Sequence, residues 1–461
     1  MKKWYRYLLY ILPLILCFSY FPLIKLGENE TMYFELSLPL IWLVVFDVFS
    51  FVMVCKKYRG RLFSKVFGSA LLWLFPMFVT FSVIWSLNVT RGILTTGVMW
   101  VLFFAVISFY ELRGNLDANF WKVFWRWFFG SALFVCGWCV VQCILDVMGV
   151  SQDVSLLCDG CVYQMFGFPH PNGFSIEPQF MGNLLLAPVI VSCYFYLKNK
   201  DKKYLWLFFV FVASLFLTFS RGAIYACVVG LCFLFTFLYF RAKKAERKKT
   251  CFSILRAIGI LIVAFIFTLN LQGILAASSP TKDTYSDGVA KVLNQLSLGV
   301  IDIRGGESED ASEKPVENSV EKPEEKSGDE AAFDGYVAES TDTRLRLASA
   351  ALTIWRQDFK TVLVGVGIGG AGQALYNAGL SPAPREIVQN EFVSLLLETG
   401  LVGVLLLMIL IVVAVRMFIK SKSIGLILAL LVAYGVSLLF FSGLTNAMQI
   451  VLIPGLLVLL G

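Results

Sequence analysis

Six polar side chains stand out because each is placed where an ionisable or hydrogen-bonding group is costly. Arg221 interrupts two apolar runs in Thr218-Phe-Ser-Arg-Gly-Ala223. Arg344 and Arg346 fall in the first turn of an amphipathic stretch beginning at Ser340. A cation there opposes the helix dipole, whereas a bound anion is favoured. Guanidinium groups stay charged and grip phosphate oxygens in pairs, so two of them could neutralise a departing diphosphate. His170 is the single histidine and the default base near neutral pH; it is equally an incidental loop residue. Glu177, in Ser175-Ile-Glu-Pro-Gln179, reads either as a helix-start carboxylate or as a base or ligand for an acceptor hydroxyl. Gln389 precedes Asn390 at the start of a long apolar run. Arg221 taken alone is either an interfacial side chain reaching for water or an anion ligand at the lipid boundary, and Arg344 has a solvated helix face as its plain reading.

Composition decides what must hold these groups. Of 461 residues, 58% are hydrophobic and 15% charged, against roughly 25% charged in a soluble domain. Apolar blocks of membrane-spanning length repeat along the chain, and in lipid only helices satisfy their backbone over such blocks. The expected fold is therefore an all-α polytopic membrane protein of about twelve transmembrane helices. The apolar blocks lie near 5–24, 37–55, 66–86, 93–110, 123–149, 176–197, 204–220, 222–240, 252–276, 388–415, 424–441 and 443–460. Met1-Lys-Lys leads into the first without a small-residue cleavage site, which reads as a start-transfer span.

Basic residues orient the set. Lys2, Lys3 and Arg6, the cluster Lys56 to Lys65, Lys198 to Lys203, Arg241 to Lys249, and Arg416 to Lys422 all fall on one side if both termini are cytoplasmic. The net charge of +7 thus reports topology and not a nucleic-acid partner. Three segments result: helices one to nine over 1–276, a long extracytoplasmic loop over 277–387, and helices ten to twelve over 388–461. Within the loop, 302–339 holds 13 acidic and 4 basic residues and reads as a disordered acidic insert. Residues 340–359 read as an amphipathic helix with Leu345, Ala348, Leu352, Trp355 and Phe359 on its apolar stripe.

The remaining motifs have plainer readings. Cys136, Cys139, Cys143 and Cys227 sit in apolar runs as packing residues. Cys158 and Cys161 form a loop pair that is either a local disulfide or two free thiols, and no further zinc ligands lie near. Glu391 and Glu398 occupy the first turns of the tenth span, Glu398 the deeper and structural of the two. Gly365-Val-Gly-Ile-Gly-Gly370 lacks the lysine of a nucleotide loop and reads as a tight re-entry turn. No outward Asp-x-Asp pair stands outside the acidic insert, so neither a metal nor another cofactor is expected.

Four blocks in order, Ser220-Arg-Gly-Ala223, Thr343-Arg-Leu, Gly365-Val-Gly-Ile-Gly369, and Gln389-Asn-Glu-Phe with Glu398-Thr-Gly-Leu-Val-Gly403, resemble the O-antigen ligase and polymerase family of bacterial envelope glycosyltransferases. The Glu177-Pro segment is also similar. The likeness covers the second half of the chain; the first half shares only topology. It implies a multi-span, metal-independent enzyme of the GT-C type in the bacterial inner membrane. The enzyme would take a glycan from an undecaprenyl-diphosphate-linked donor on the extracytoplasmic face and pass it to a glycan or lipid acceptor. Arg221 and Arg344, with Arg346, would hold the diphosphate. Ligases of this kind carry a histidine where this chain has Gln389, which cannot act as a base. The resemblance therefore implies Glu177 or His170 as the base, or a polymerase. The alternative class is a polysaccharide flippase or other secondary transporter; against it, no internal repeat is visible and the ionisable groups gather at the outer edge.

Overall fold

The computed structural model describes residues 2–18, 22–29, 32–58, 70–148, 164–165, 168–175, 177–278, 284–297, 343–381, 383–384, 388–418, 423–441 and 448–457. The acidic insert 302–339 and the pair Cys158 and Cys161 lie outside the described residues. The protein is an all-α membrane protein, and the described residues add two short antiparallel strand pairs. Its helices are α1 (Lys2–Leu16), α2 (Leu38–Tyr58), α3 (Ala70–Ser82), α4 (Val89–Leu112), α5 (Ala118–Val147), α6 (Pro178–Asn199), α7 (Lys202–Leu217), α8 (Arg221–Arg241), α9 (Arg247–Ser278) and α10 (Tyr285–Leu296), followed by α11 (343–355), α12 (Phe359–Val364), α13 (Ala371–Asn377), α14 (Glu391–Phe418), α15 (Ile424–Ser437) and α16 (Gln449–Leu457). Among the described residues, seven helices are long and apolar enough to cross a membrane: those over 38–58, 89–115, 118–145, 178–199, 221–241, 244–278 and 391–416. Two further apolar helices, over 71–85 and 424–437, are shorter.

Each of the twelve apolar blocks contains a helix, but two features of the outer segments differ from the sequence reading. The first block does not run to residue 24: its helix stops at Leu16, and Pro22–Asn29 pairs antiparallel with Met32–Ser37. The amphipathic helix of the long loop ends at Trp355 instead of 359. Asp358 then accepts from the Thr361 backbone N–H at 2.8 Å and starts a new helix, α12. Its buried stripe is also rotated. Leu347, Ala351 and Ile354 are buried, while Leu345 is 65% and Phe359 77% exposed. The two possible stripes have similar apolar content, and packing against Ala371, Ala374, Leu375 and Leu397 selects the one in line with Arg344. The loop contains a further helix the periodicity reading passed over, α10.

Helix α6 is the pillar of the bundle. Of its apolar window 89% is buried, against 22% for the windows of α9 and α14. It packs on α7, α8 and α15, and α8 lies along α15. Small residues let these backbones approach: a Cβ on Gly182 would stand 2.8 Å from that of Ala223, and one on Gly230 2.7 Å from that of Ala433. Glu177 and Pro178 open α6, a residue pair suited to a helix start, and Lys200 closes it in the left-handed conformation. Asp201 then caps α7 by accepting from the Lys203 N–H. The starts of α6, α8 and α14 and the end of α15 meet at one end of the bundle. Lys57, Arg113, Lys198, Lys203, Arg241 and Lys244 mark the other.

Candidate functional site

The site is built on a turn that forces a cation onto a helix start. Thr218 ends α7 and its hydroxyl donates to the Leu215 carbonyl at 2.7 Å. Phe219 takes φ +49°, Ser220 is the N-cap, and Arg221 becomes the first residue of α8. Repulsion from the helix dipole makes this position poor for stability and good for drawing an anion. The turn is held from below. His170 is 2% exposed and its ring lies 4.8 Å from that of Phe219. Its loop is pinned to α5 by Gln142, which donates to Asn172 Oδ1 at 2.7 Å and accepts from the Gly173 N–H at 2.9 Å. Burial pushes the imidazole down to about 3, so His170 is neutral at physiological pH. From above, Val292 of α10 packs on Phe219, and the Tyr225 hydroxyl donates to the Leu296 carbonyl at 2.8 Å. The neighbouring Lys291, on the same short helix, is also buried.

Arg344 shares its helix face with Leu347 and Ala351, three and seven residues on, and so points inward with them. Its Nε donates to Gln389 Oε1 at 2.9 Å and its Nη2 to Gln179 Oε1 at 3.1 Å. Gln389 reaches this place because it adopts φ +54° immediately before α14. Asn390 then caps that helix by accepting from the Val393 N–H at 3.1 Å. The Glu391 N–H, on the same turn, donates to the Leu438 carbonyl at 2.9 Å and that of Phe441 at 3.2 Å. Arg346, two residues on and about 200° around the helix, is exposed on the opposite face. Glu177 keeps a solvent-exposed edge. Surrounding protein raises its carboxyl above the usual carboxylate range, and the Arg344 charge pulls it part-way back.

Both arginine-bearing elements border the first turn of α6. A Cβ on Gly182 would lie 2.9 Å from Ser220 Cβ, and one on Gly222 2.8 Å from Phe440 Cβ. The Phe440 carbonyl in turn accepts from Gln179 Nε2 at 2.6 Å, and Gln179 holds Arg344. The structure thus gathers Arg344, Gln389 and Glu177, and it sets the backbone on either side of Arg221 against Gly182 and Phe440. It leaves Arg346 on the outer face of its helix and places His170 beneath the Arg221 turn. Gln179 and Phe440 belong to the cluster, and sequence reasoning passed over both. Gln179 carried one weak signal, a polar residue two positions after Glu177 at the mouth of an apolar helix.

The glycine-rich turn has a structural role. Gly365 and Gly400 interlock: a Cβ on either would come within 2.3 Å of a backbone oxygen of the other segment, Glu398 O or Leu363 O. The Val366 and Gly367 N–H groups donate to Leu397 O and Glu398 O, each at 2.9 Å. Ser86 Oγ donates to the Ile368 carbonyl at 2.8 Å, which ties the turn to the start of α4. The Glu398 carboxylate accepts from the Ala371 N–H at 3.3 Å. Among the described residues, no group of three His, Cys, Asp or Glu side chains is arranged to hold a metal ion.

Residues 204–408 match the family model described as O-antigen ligase. This stretch is similar to an O-antigen ligase domain. The domain contains Arg221, Arg344, Gln389 and the Gly365–Gly400 interlock. It does not reach Glu177, Gln179 or Phe440. Its family points to a membrane glycan ligase or polymerase. No curated protein and no solved structure matches the chain.

Proposed function

We propose that the protein transfers or polymerises a glycan from an undecaprenyl-diphosphate-linked donor on the extracytoplasmic face of the bacterial inner membrane, as a metal-independent glycosyltransferase. The observation that supports this reading is that Arg344 is held by Gln179 on the first turn of α6, beside Glu177, while the helix start that carries Arg221 packs against Gly182 of the same helix. The two guanidinium groups bind the diphosphate and neutralise the charge it gains on leaving. Glu177 removes the proton of the acceptor hydroxyl as its oxygen attacks the anomeric carbon. The bond from that carbon to the diphosphate oxygen breaks, and undecaprenyl diphosphate leaves with the electron pair. Three features favour Glu177 as the base. It interacts with the Arg344 charge, and the surrounding protein shifts its carboxyl upward, the direction that makes the carboxylate a stronger base. Gln389 does not titrate, and His170 is buried and hard to protonate. The side of the membrane follows from the basic residues at the opposite end of the helices, and twelve crossings would put both termini in the cytoplasm.

The test is complementation of a strain lacking the gene, with surface glycan resolved by length. Arg221→Ala and Arg344→Ala each abolish the glycan product at normal membrane abundance of the protein. A ladder restored by wild type marks a polymerase, and a single transfer to a lipid or protein acceptor marks a ligase. Full glycan assembly by the double alanine variant refutes the assignment.

A further inference from the structure

Arg344 can serve a diphosphate only if its fork is held in one orientation, and one of the residues that holds it lies outside the O-antigen ligase domain. Gln179 Oε1 accepts from Arg344 Nη2 at 3.1 Å, and its Nε2 donates to the Phe440 carbonyl at 2.6 Å. The amide can face only one way. A guanidinium has no acceptor and a carbonyl has no donor, so a flipped amide would lose both bonds. The carbonyl is fixed as well. The Phe440 N–H donates to Ser437 O at 3.0 Å, and the Leu438 and Phe441 carbonyls on either side accept from the Glu391 N–H. The Phe441 ring stands edge-on to Phe180 at 4.9 Å. The same Phe440 lies against Gly222, the residue after Arg221. One turn, Leu438 to Phe441, therefore touches the helix that carries Arg221 and the side chain that holds Arg344.

We propose that Gln179, anchored on the Phe440 carbonyl, is the positioning residue that aims Arg344 and sets its spacing from Arg221 for a prenyl diphosphate. This rests on the reading of Arg344 given above. Gln179 does not carry charge to the phosphate; it removes the freedom of the guanidinium that does.

The probe is radiolabelled farnesyl diphosphate, bound to the purified full-length protein in lipid nanodiscs. Gln179→Met keeps the length of the side chain and removes both hydrogen bonds. It weakens binding by about tenfold, the effect of losing one charge-assisted bond, in a protein that still folds and melts in one transition. Gln179→Asn keeps an amide too short to span both partners, and it weakens binding by about threefold or more in a protein of unaltered polarity. In an Arg344→Ala background the Gln179→Met change has less than about a twofold effect, because a positioning residue has nothing left to position. A purely structural role would instead add its full loss to that of Arg344→Ala. If Arg344→Ala weakens binding while both Gln179 variants bind like wild type, the positioning role is wrong and the reading of Arg344 stands. If Arg344→Ala itself binds like wild type, both fall.

Discussion

Arg344→Lys keeps the charge and removes the geometry, which makes it the sharpest test of the cluster. The guanidinium donates at 2.9 Å to Gln389 and at 3.1 Å to Gln179 from two nitrogens of one rigid fork. A lysine ammonium carries its protons on a single atom and cannot occupy both positions. At least one charge-assisted hydrogen bond is lost, worth roughly 1.5–3 kcal/mol when buried. Arg344 is half-buried, so the lower part of that range applies, and the rate of glycan transfer falls by about tenfold to thirtyfold. The assay is transfer from lipid-linked donor in membrane vesicles that hold equal amounts of each variant. Arg346→Ala runs beside it as a control from the exposed face of the same helix, with less than about a threefold loss, the scale of a screened surface charge. An Arg344→Lys enzyme within about threefold of wild type would sink the argument that orientation matters here.

Other perturbations address the rest of the site. Glu177→Gln lowers the maximal transfer rate by about a hundredfold or more, with donor KM little changed, as loss of a general base does. Because burial raises the Glu177 carboxyl, wild-type activity falls as pH drops through a value above the ordinary carboxylate range, and the Gln variant loses this acid limb in a pH–rate profile. His170 is held neutral with its pKa pushed down to about 3, while the unfolded residue titrates near 6.5. Its contribution is therefore complete above about pH 6.5 and is lost as pH falls towards 3, amounting to about 2 kcal/mol by pH 5. Thermal melts of wild type against His170→Phe between pH 5 and 8 check this, since the variant lacks that slope. Gly400→Ala places a Cβ 2.3 Å from the Leu363 carbonyl oxygen at φ +63°, and costs roughly 3 kcal/mol or more from backbone strain and the displaced turn. A clear drop in detergent melting temperature or in membrane abundance reports it, and a stable Gly400→Ala protein would contradict the interlock.

The parts of this architecture legible in the sequence are those set by the membrane. A span must be apolar for its whole length, so blocks such as 37–55 and 222–240 declare themselves, and Arg221 stands out because the residues around it are apolar. The parts that stayed hidden depend on which surfaces meet. The 343–355 helix has two stripes of similar apolar content, and only its packing partners choose the one that turns Arg344 inward. Gln179 looks like any helix-start amide until Phe440, 261 positions away, presents its carbonyl. Helix α10 went unread because its polar residues resemble loop, although Lys291 and Asn294 are buried in the fold. The first strand pair is hidden in the first apolar block because Pro22-Leu-Ile continues the apolar run before it.

The burial of α6 bears on how the chain is inserted. Its window has a mean hydropathy of 1.7, the lowest of the seven candidate spans, although it is the most enclosed of them. Enclosure by protein relaxes the demand for oiliness that lipid imposes, and this leaves room for Gln179 and Asn183 near its start. A segment this weakly hydrophobic gains less from partitioning into the bilayer on leaving the translocon. Its shielding neighbours α7 and α8 are synthesised after it, and α15 later still. Co-translational insertion of the helix that opens with Glu177 and Gln179 is thus coupled to chain that has not yet been made, and truncations after residue 199 should strand it in an unsettled topology.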